Sequence, residues 1–378
     1  MSRARSDETR LQFSDTFDTE EPKIDFGARR RRRQLLIRVV SLLVKVILLI
    51  VFILFVIVPI VYKNSYSIQK AFLFLNFVKW PPNFDLTNPS GVGLEGTRNL
   101  YITGEDNVKL GVWHILPASL IAESNKTGVG ENGAQWDSWL DNGRPVIVYA
   151  HGNSGTRGAG HRVQLYHVLQ KKEYHVISFD YRGYGDSSDV PINETGLVQD
   201  TLTVYKWVQK RTNRSVFLWG HSLGTGISSH AVSILHSDDN EPAGLVLEAP
   251  FNNLKDEVTS HPFARMYTIM PWFDYFFTSP MYENGLRFES DKNLANSKTS
   301  ILILHAKDDK IIPYELGLKL YKGLLEERTS SNASDSVQME TYESDKHYGH
   351  KFICEDPGLP NLVDSFIEKS LQRRNIAS

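Results

Sequence analysis

The sequence has a single cysteine, Cys354, in 378 residues. One thiol excludes an intramolecular disulfide, a cysteine-rich zinc module and the cysteine cluster of a multiply palmitoylated tail. A strong charge of either sign is also lacking, because the formal net charge is −2 at pH 7, and this balance gives no reason to expect nucleic acid as a partner. No internal repeat of about 20–50 residues is visible. What remains, 41% hydrophobic and 23% charged residues, is an ordinary globular composition.

The N-terminal region changes from polar to strongly apolar after a run of arginines. Residues 1–34 are polar, carry mixed charges and include the cluster Arg29 to Arg33, so they predict a disordered cytosolic tail. Residues 35–62 are largely apolar and predict a transmembrane helix, because their last 17 positions carry no charge. A cleaved signal peptide is disfavoured, since no small-residue cleavage site follows Tyr62. The positive-inside rule then places the rest of the chain on the lumenal or extracellular side.

The segment that follows the apolar helix, residues 63–97, is rich in aromatic side chains and lysines. Phe72, Phe77 and Trp80 lie here, close to Lys70 and Lys79. Aromatic residues and lysines beside a membrane span are typical of a segment in the membrane interface. Packing on the catalytic domain is the alternative, and the two interpretations are compatible.

Four Asn-x-Ser/Thr sequons lie beyond the apolar helix, at Asn125, Asn193, Asn213 and Asn332. All four stand in polar, turn-like surroundings and are candidate glycosylation sites. They agree with a lumenal catalytic domain.

From residue 98 to the end of the chain, short apolar strands alternate with helices. Strands are predicted at 99–103, 108–116, 145–150, 175–179, 216–220, 245–248, 301–305 and 337–342. This alternation predicts an α/β domain with a mostly parallel, doubly wound sheet. Residues 252–299 interrupt the alternation and are rich in aromatic residues and methionine. They predict a helical lid over an apolar pocket, with helices packed on the sheet edge as the alternative.

One strand runs directly into Gly220-His221-Ser222-Leu223-Gly224. Gly-x-Ser-x-Gly is the sequence form of a nucleophile elbow, in which a serine stands on a sharp turn between a strand and a helix. The two glycines suit that turn, because a Cβ atom at either position would collide with the neighbouring strand or helix. Ser222 is therefore the predicted nucleophile.

A serine nucleophile needs a general base and an acid that orients the base. Asp308 and Asp309 follow the strand at 301–305, and Asp309 is favoured because it stands directly before the apolar Ile-Ile-Pro segment. After the last predicted strand come His347 and His350. His350 is favoured because Gly349 lets the backbone turn and present the ring inward, and His347 is the alternative. His114, His151 and His305 lie at or inside strands and are interpreted as structural.

The tetrahedral intermediate needs two backbone N–H donors. One is predicted from Leu223, directly after the nucleophile, and the other from Asn153 in the loop His151-Gly152-Asn153 that follows the strand at 145–150. This chemistry requires neither a metal nor an organic cofactor.

The combined motifs resemble the α/β-hydrolase-domain family, and within it the membrane-bound lysophosphatidylserine and monoacylglycerol lipases. The resemblance covers roughly residues 65–375 and rests on residues 151–158, 180–187, 220–226 and 305–309. It implies that Ser222, Asp309 and His350 are nucleophile, acid and base. It also implies a glycosylated endoplasmic reticulum membrane protein with a lumenal catalytic domain, which hydrolyses lysophosphatidylserine and monoacylglycerols such as 2-arachidonoylglycerol.

The prediction is therefore a single-pass serine hydrolase that cleaves acyl esters of membrane lipids, with the extracellular face of the plasma membrane as a second location. The alternatives are a protein S-acyl thioesterase, a serine peptidase and a non-catalytic binding protein on the same fold. The last is disfavoured because every triad position is filled. Four cations near the motifs could meet a phosphate, but ordinary surface charge is the favoured interpretation for each: Arg157, Arg162, Lys307 and Lys310.

Overall fold

The computed structural model describes residues 26–104, 106–127, 134–329 and 334–377. The chain divides into two compact units, one that ends at Ile57 and one that begins at Val58. Residues 1–25, most of the predicted tail, lie outside the described residues.

The first described element is a long apolar helix. Helix α1 (Phe26–Phe52) continues into a π-helical turn at Ile53–Ile57, and α2 (Val58–Asn64) follows. Among the residues that the structure describes, Arg29–Asn64 is the one stretch of helix long and apolar enough to cross a membrane, and it is almost entirely unburied. The π-helical turn precedes Pro59, whose missing N–H and ring disturb the preceding turn of a helix.

The start of α1 differs from the sequence prediction. The sequence predicts a disordered tail as far as residue 34, yet residues 26–34 form the first turns of the helix. Arginine is a strong helix former and no proline interrupts this stretch, so the apolar helix extends backwards through the basic cluster.

Eight strands form one sheet in the order β1-β2-β4-β3-β5-β6-β7-β8. Pairing is antiparallel at β1/β2 and β2/β4 and parallel elsewhere, which confirms the predicted α/β-hydrolase fold class. The strands are β1 (Thr97–Thr103), β2 (Lys109–Ile115), β3 (Val146–Ala150), β4 (His175–Phe179), β5 (Val216–His221), β6 (Gly244–Glu248), β7 (Ser300–Ala306) and β8 (Val337–Tyr342).

Every residue of β3 to β7 is buried. Runs of Val, Ile and Leu produce this pattern when helices cover a parallel sheet on both faces. The covering and connecting helices are α3 (Tyr66–Leu73), α4 (Ala118–Thr127), α5 (Ala134–Trp139), α6 (Gly160–Lys171), α7 (Glu194–Gln209), α8 (Leu223–Ser237), α9 (Leu254–Ser260), α10 (Arg265–Thr268), α11 (Ser279–Glu283), α12 (Ser290–Leu294), α13 (Tyr314–Thr329) and α14 (Leu359–Ala377).

Residues 252–299, the predicted lid, contain α9 to α12 and a π-helical turn at Asp274–Thr278. Helix α2 packs on this region. The Tyr62 hydroxyl lies 3.0 Å from Met281 Sδ, and the Tyr62 and Phe277 rings are 5.1 Å apart. Two apolar side chains of the same region, Phe263 and Ile269, are each 80% exposed.

The segment between α2 and β1 packs on the hydrolase unit and also presents aromatic side chains to the outside. Phe74 is buried, and the carbonyl oxygens of Val78 and Trp80 accept hydrogen bonds from the backbone N–H groups of Gly155 and Thr156 at 2.9 and 3.1 Å. Phe72, Phe77 and Trp80 remain 59–66% exposed. Of the two sequence interpretations, packing on the hydrolase unit is therefore observed.

Candidate active site

Ser222 stands on the sharp turn between β5 and α8. Its backbone has a positive φ of 53° with ψ −121°, a strained conformation that residues with a Cβ atom rarely adopt. The flanking glycines make this turn sterically feasible: a Cβ atom at Gly220 would collide with the backbone of Gly224, and one at Gly224 would collide with the carbonyl of Ala150. The turn lifts the Ser222 side chain above the carboxyl ends of the central strands.

His350 and Asp309 complete a continuous hydrogen-bonded chain with the serine. His350 Nε2 lies 2.9 Å from Ser222 Oγ, and His350 Nδ1 lies 2.7 Å from Asp309 Oδ2. Asp309 follows β7 and His350 lies in the loop between β8 and α14, so the two side chains, 41 residues apart in sequence, come from separate elements. This spacing lets the imidazole take the hydroxyl proton while the carboxylate orients the ring.

The Asp309 carboxylate is buried and fully hydrogen-bonded. Oδ1 accepts from the backbone N–H groups of Ile311 and Ile312 at 2.8 and 3.0 Å, and Oδ2 accepts from His350. The Nε2 atom of His305 also lies near this carboxylate, 3.6 Å from Oδ2. Burial raises the pKa of Asp309, but the hydrogen bonds and charges of His305 and His350 outweigh burial and hold that pKa below its ordinary value. Asp309 is therefore ionised at neutral pH.

The alternative acid and base have other positions. Asp308 Oδ1 accepts from the backbone N–H of Gly349 at 3.0 Å, so this carboxylate supports the loop that carries His350 without touching its ring. His347 has a left-handed φ of 57° and an exposed side chain at the end of a short 3-10 turn.

The predicted oxyanion loop lies directly against the elbow. A Cβ atom on Gly152 would lie 3.3 Å from Ser222 Cβ, so glycine permits this approach. The Tyr184 hydroxyl donates to the carbonyl of Asn153 at 3.0 Å and so helps to fix the backbone of this loop. Leu223 is the first residue of α8, where backbone N–H groups have no partner within the helix.

Sequence reasoning missed His221, the residue between Gly220 and the nucleophile. Its Nε2 lies 2.8 Å from the carbonyl oxygen of His350, so Nε2 carries the proton and donates. Burial, followed by the charge of nearby His350, lowers the pKa of His221 well below its ordinary value, and the ring is neutral. His221 occupies the first variable position of Gly-x-Ser-x-Gly. The motif marks that position but assigns no role to its side chain, so the sequence alone did not predict this contact.

Glu248 at the end of β6 also went unnoticed. Its carbonyl accepts from the backbone N–H of Ser222 at 2.9 Å, and its carboxyl group accepts from Trp219 Nε1 at 2.9 Å. Burial raises the pKa of Glu248 to about 7. The hydrogen bond between Ser222 N–H and the Glu248 carbonyl holds the elbow against the neighbouring strand β6. No sequence motif predicts this contact.

Three of the four cations that could meet a phosphate have partners inside the protein. Arg157 is fully buried and pairs with Asp180 at 2.5 Å and with Asp186 at 2.6 Å, so its interpretation as surface charge is wrong. Arg162 is also buried and donates to the carbonyls of Thr156 and Ser154, so its interpretation as surface charge is wrong as well. Lys307 pairs with Glu343 on the surface. Lys310 is exposed.

Among the sequons, Asn125, Asn193 and Asn213 are exposed. Asn193 also caps α7, since its side chain accepts from the backbone N–H of Gly196. Asn332 lies outside the described residues.

Comparisons with known proteins agree with this architecture. A sequence family described as serine aminopeptidase, S33, matches residues 141–290. The lysophosphatidylserine lipase ABHD12 of Danio rerio is 41% identical over 82% of this chain and 80% of its own length. The rat protein of the same name is 40% identical over 84% and 78%. Human protein ABHD12B is 35% identical over 79% of each chain.

Solved structures with much lower identity share the fold. An esterase of Pyrococcus furiosus aligns with a TM-score of 0.53 at 19% identity, over 82% of this chain and 98% of its own. An alpha-beta hydrolase of Vibrio vulnificus aligns with a TM-score of 0.53 at 17% identity, over 83% and 94%. With relatives at 41% identity along 82% of its length, the chain belongs to the ABHD12 family of α/β hydrolases.

Proposed function

We propose that this chain is a membrane-anchored serine hydrolase that cleaves the acyl ester of lysophosphatidylserine and of monoacylglycerols and releases a free fatty acid. The hydrogen-bonded chain Ser222–His350–Asp309 on a nucleophile elbow carries the proposal, since this arrangement serves acyl transfer. Family membership and the name of the relatives, lysophosphatidylserine lipase, support a lipid carboxylic ester as the substrate.

In the proposed mechanism, Ser222 Oγ attacks the acyl carbonyl carbon while His350 Nε2 takes the hydroxyl proton. Asp309 stabilises the imidazolium that forms. The tetrahedral intermediate collapses, the ester C–O bond breaks, and His350 protonates the departing glycerol oxygen. A water molecule, deprotonated by His350, then attacks the acyl-enzyme, and the fatty acid leaves as Ser222 recovers its proton.

The negative charge on the tetrahedral oxygen is assigned to the backbone N–H groups of Leu223 and Asn153. Leu223 N–H stands at the N-terminus of α8, where the helix dipole adds a favourable potential for an anion. Fixed donors of this kind are worth about 3 kcal/mol each in transition-state stabilisation. The tight approach of Gly152 to Ser222 supports the placement of the second donor.

A bilayer is the proposed source of substrate. The apolar stretch Arg29–Asn64 is the proposed anchor, and residues 252–299 are proposed as the lid. Support comes from α2, whose Tyr62 and Lys63 side chains contact the rings of Phe277 and Tyr275 in that region. The exposed aromatic residues Phe72, Phe77 and Trp80 suit the polar–apolar boundary of a membrane.

The proposed location is the endoplasmic reticulum membrane, with residues 1–34 cytosolic and residues 98–378 lumenal. The five consecutive arginines Arg29 to Arg33 at the start of the helix support this orientation. The extracellular face of the plasma membrane is the alternative location.

Replacing the four sequon asparagines, Asn125, Asn193, Asn213 and Asn332, with glutamine tests the orientation. We expect the unmodified chain, expressed in eukaryotic cells, to gain gel mobility after treatment with an endoglycosidase specific for high-mannose glycans, and the quadruple variant to show no change. Asn88→Gln is the matched control, because Pro89 prevents modification there. A chain without glycans contradicts the lumenal orientation, and endoglycosidase-resistant glycans favour the plasma membrane.

A substrate panel tests the activity. The purified full-length chain is given oleoyl lysophosphatidylserine, monooleoylglycerol, a palmitoyl-cysteine peptide and an aminopeptidase substrate, each with Ser222→Ala as the blank. We expect fatty acid release from both lipids at least about 10³-fold above the blank. If the chain cleaves the thioester but neither lipid, it is a thioesterase. If it cleaves the peptide but neither lipid, it is a peptidase, as the description of the matching family says.

A further inference from the structure

A cavity of about 440 Å³ lies beside the candidate active site. Its lining includes Ser154 and Gly155, which directly follow Asn153, and Lys351 and Phe352, which directly follow His350. The chain therefore brings the cavity within a few bonds of both the proposed oxyanion donor and the proposed base. A volume of this size is typical of small-ligand sites, which hold about 300–1,000 Å³.

The polar groups of this cavity favour an anion. Lys351 contributes a positive charge, and His161 contributes a buried Nε2 atom that has no hydrogen-bond partner among the described residues. No carboxylate belongs to the part of the described chain that lines it. This atom has almost no accessible surface, so a ligand in the cavity reaches it only when the ring turns, and the bond then removes the cost of leaving a buried polar atom without a partner.

The start of α6 adds to the same potential. Gly160 and His161, the first two residues of this 12-residue helix, line the cavity, and the N-cap Ala159 provides no side-chain hydrogen bond. The unpaired N–H groups and the dipole of a helix N-terminus favour a phosphate or a carboxylate. Burial, followed by the charge of Arg162, lowers the pKa of His161, so the ring is neutral and places no repulsive charge near Lys351.

Three other cations near the motifs have partners inside the protein. Arg157 and Arg162 are buried against carboxylates and carbonyls, and Lys307 pairs with Glu343. Lys351 is exposed and stands one residue from His350. Its long, flexible side chain suits a phosphate, which a point charge can bind from several directions.

A rim of apolar side chains borders the same cavity. Val78, Trp80 and Phe352 line it and are 42%, 59% and 41% exposed. An apolar rim around a cationic centre matches an amphiphile whose charged head group enters while its glycerol and acyl part remain outside.

We propose that this cavity is the head-group subsite, in which Lys351, His161 and the N-terminus of α6 bind the phosphate of a lysophospholipid while Ser222 attacks its acyl ester. The inference rests on the proposed lipid esterase activity and adds to it a preference for a charged over a neutral lipid, which the subsite would cause. Lys351 is then a specificity residue and takes no part in bond breaking.

Lys351→Met, which removes the charge and keeps the length, tests the subsite. The measurement is the ratio of kcat/KM for oleoyl lysophosphatidylserine to kcat/KM for monooleoylglycerol, with the full-length chain in uncharged detergent micelles. We expect the ratio to fall about tenfold, mainly through KM, as for the loss of one charge-assisted hydrogen bond at a partly exposed site. Lys351→Arg should restore most of it. Lys346→Met is the matched control, an exposed lysine in the same loop, and its ratio should stay within about twofold.

The outcomes separate the subsite from the esterase proposal. An unchanged ratio in Lys351→Met, or an equal loss on both lipids, overturns the subsite and leaves the esterase proposal standing. A wild-type chain that hydrolyses neither lipid overturns the esterase proposal itself. Glycerophosphoserine, the head group without its acyl chain, should compete with the lipid in wild type and about tenfold less well in Lys351→Met. Noncompetitive inhibition by inorganic phosphate would instead indicate a site for free phosphate and overturn the head-group assignment.

Discussion

Ser222→Ala is expected to lower kcat for lipid ester hydrolysis by about 10⁶-fold, the loss typical of a serine hydrolase without its nucleophile. Alanine keeps the Cβ atom, so the elbow keeps its shape while the atom that forms the acyl-enzyme is gone. Release of fatty acid from oleoyl lysophosphatidylserine measures the rate, and a fluorophosphonate probe measures the nucleophile directly. Labelling of the wild-type chain should disappear in the variant.

Ser229→Ala is the matched control for this change. Ser229 lies on α8, the helix that follows Ser222. Its side chain is buried, and its hydroxyl donates to the carbonyl of Thr225 at 2.7 Å. Its removal should change kcat by less than about threefold, since it loses one local hydrogen bond of about 1 kcal/mol and no reacting atom. If labelling persists in Ser222→Ala and disappears when another serine is replaced, that other serine is the nucleophile.

Asp309→Asn has the second largest expected effect, a fall in kcat of about 10⁴-fold. An amide nitrogen at this position donates to His350 Nδ1, which forces the proton onto Nε2, where Ser222 needs an acceptor. The amide also lacks the charge that stabilises the imidazolium. Steady-state hydrolysis of a soluble short-chain ester, which removes the micelle from the assay, measures this loss.

Asp308→Asn, next to it, separates the two aspartates. The amide oxygen of the substituted side chain can still accept from Gly349 N–H, so the loop that carries His350 keeps its support and kcat should fall by no more than about tenfold. A larger loss in Asp308→Asn than in Asp309→Asn would reverse the assignment. Near-ultraviolet circular dichroism of both variants shows whether the fold survives.

Local patterns were enough to predict the fold class and to identify the elbow. The apolar strands are short, fully buried and separated by turn residues, so period and composition located β4 and β8 to the residue. The Gly-x-Ser-x-Gly pattern identifies the elbow within five residues, and a Cβ at Gly220 would indeed collide with Gly224, whereas a Cβ at Gly224 would collide with Ala150 of the neighbouring strand. To identify Asp309 and His350, the order in which the motifs of the family follow one another was also needed. Their catalytic roles stay predictions until the variants are measured.

Contacts between distant segments escaped the sequence analysis. Nothing near Arg157 in sequence shows that Asp180 and Asp186 will surround it, so local sequence predicts a surface residue where the fold has an arginine of the core. The hydrogen bond from His221 to the His350 carbonyl joins residues 129 positions apart. Trp136 and Trp139 lie in a mostly polar stretch of the sequence between β2 and β3, yet they pack with Leu116 in a small separate core. Each of these depends on tertiary packing that no local pattern encodes.

The positive φ of Ser222 lowers the stability of the domain at the same residue that carries the proposed nucleophile. A non-glycine residue held in a sparsely populated conformation costs about 1–3 kcal/mol, out of a total stability of about 5–15 kcal/mol for a domain. Glycine at this position would adopt φ 53° without that penalty, so the serine side chain lowers the stability of the domain here. The rest of the domain, through contacts such as the Ser222 N–H to Glu248 carbonyl bond, must supply the difference. The fold thus stabilises a strained backbone conformation at the residue that carries the proposed nucleophile.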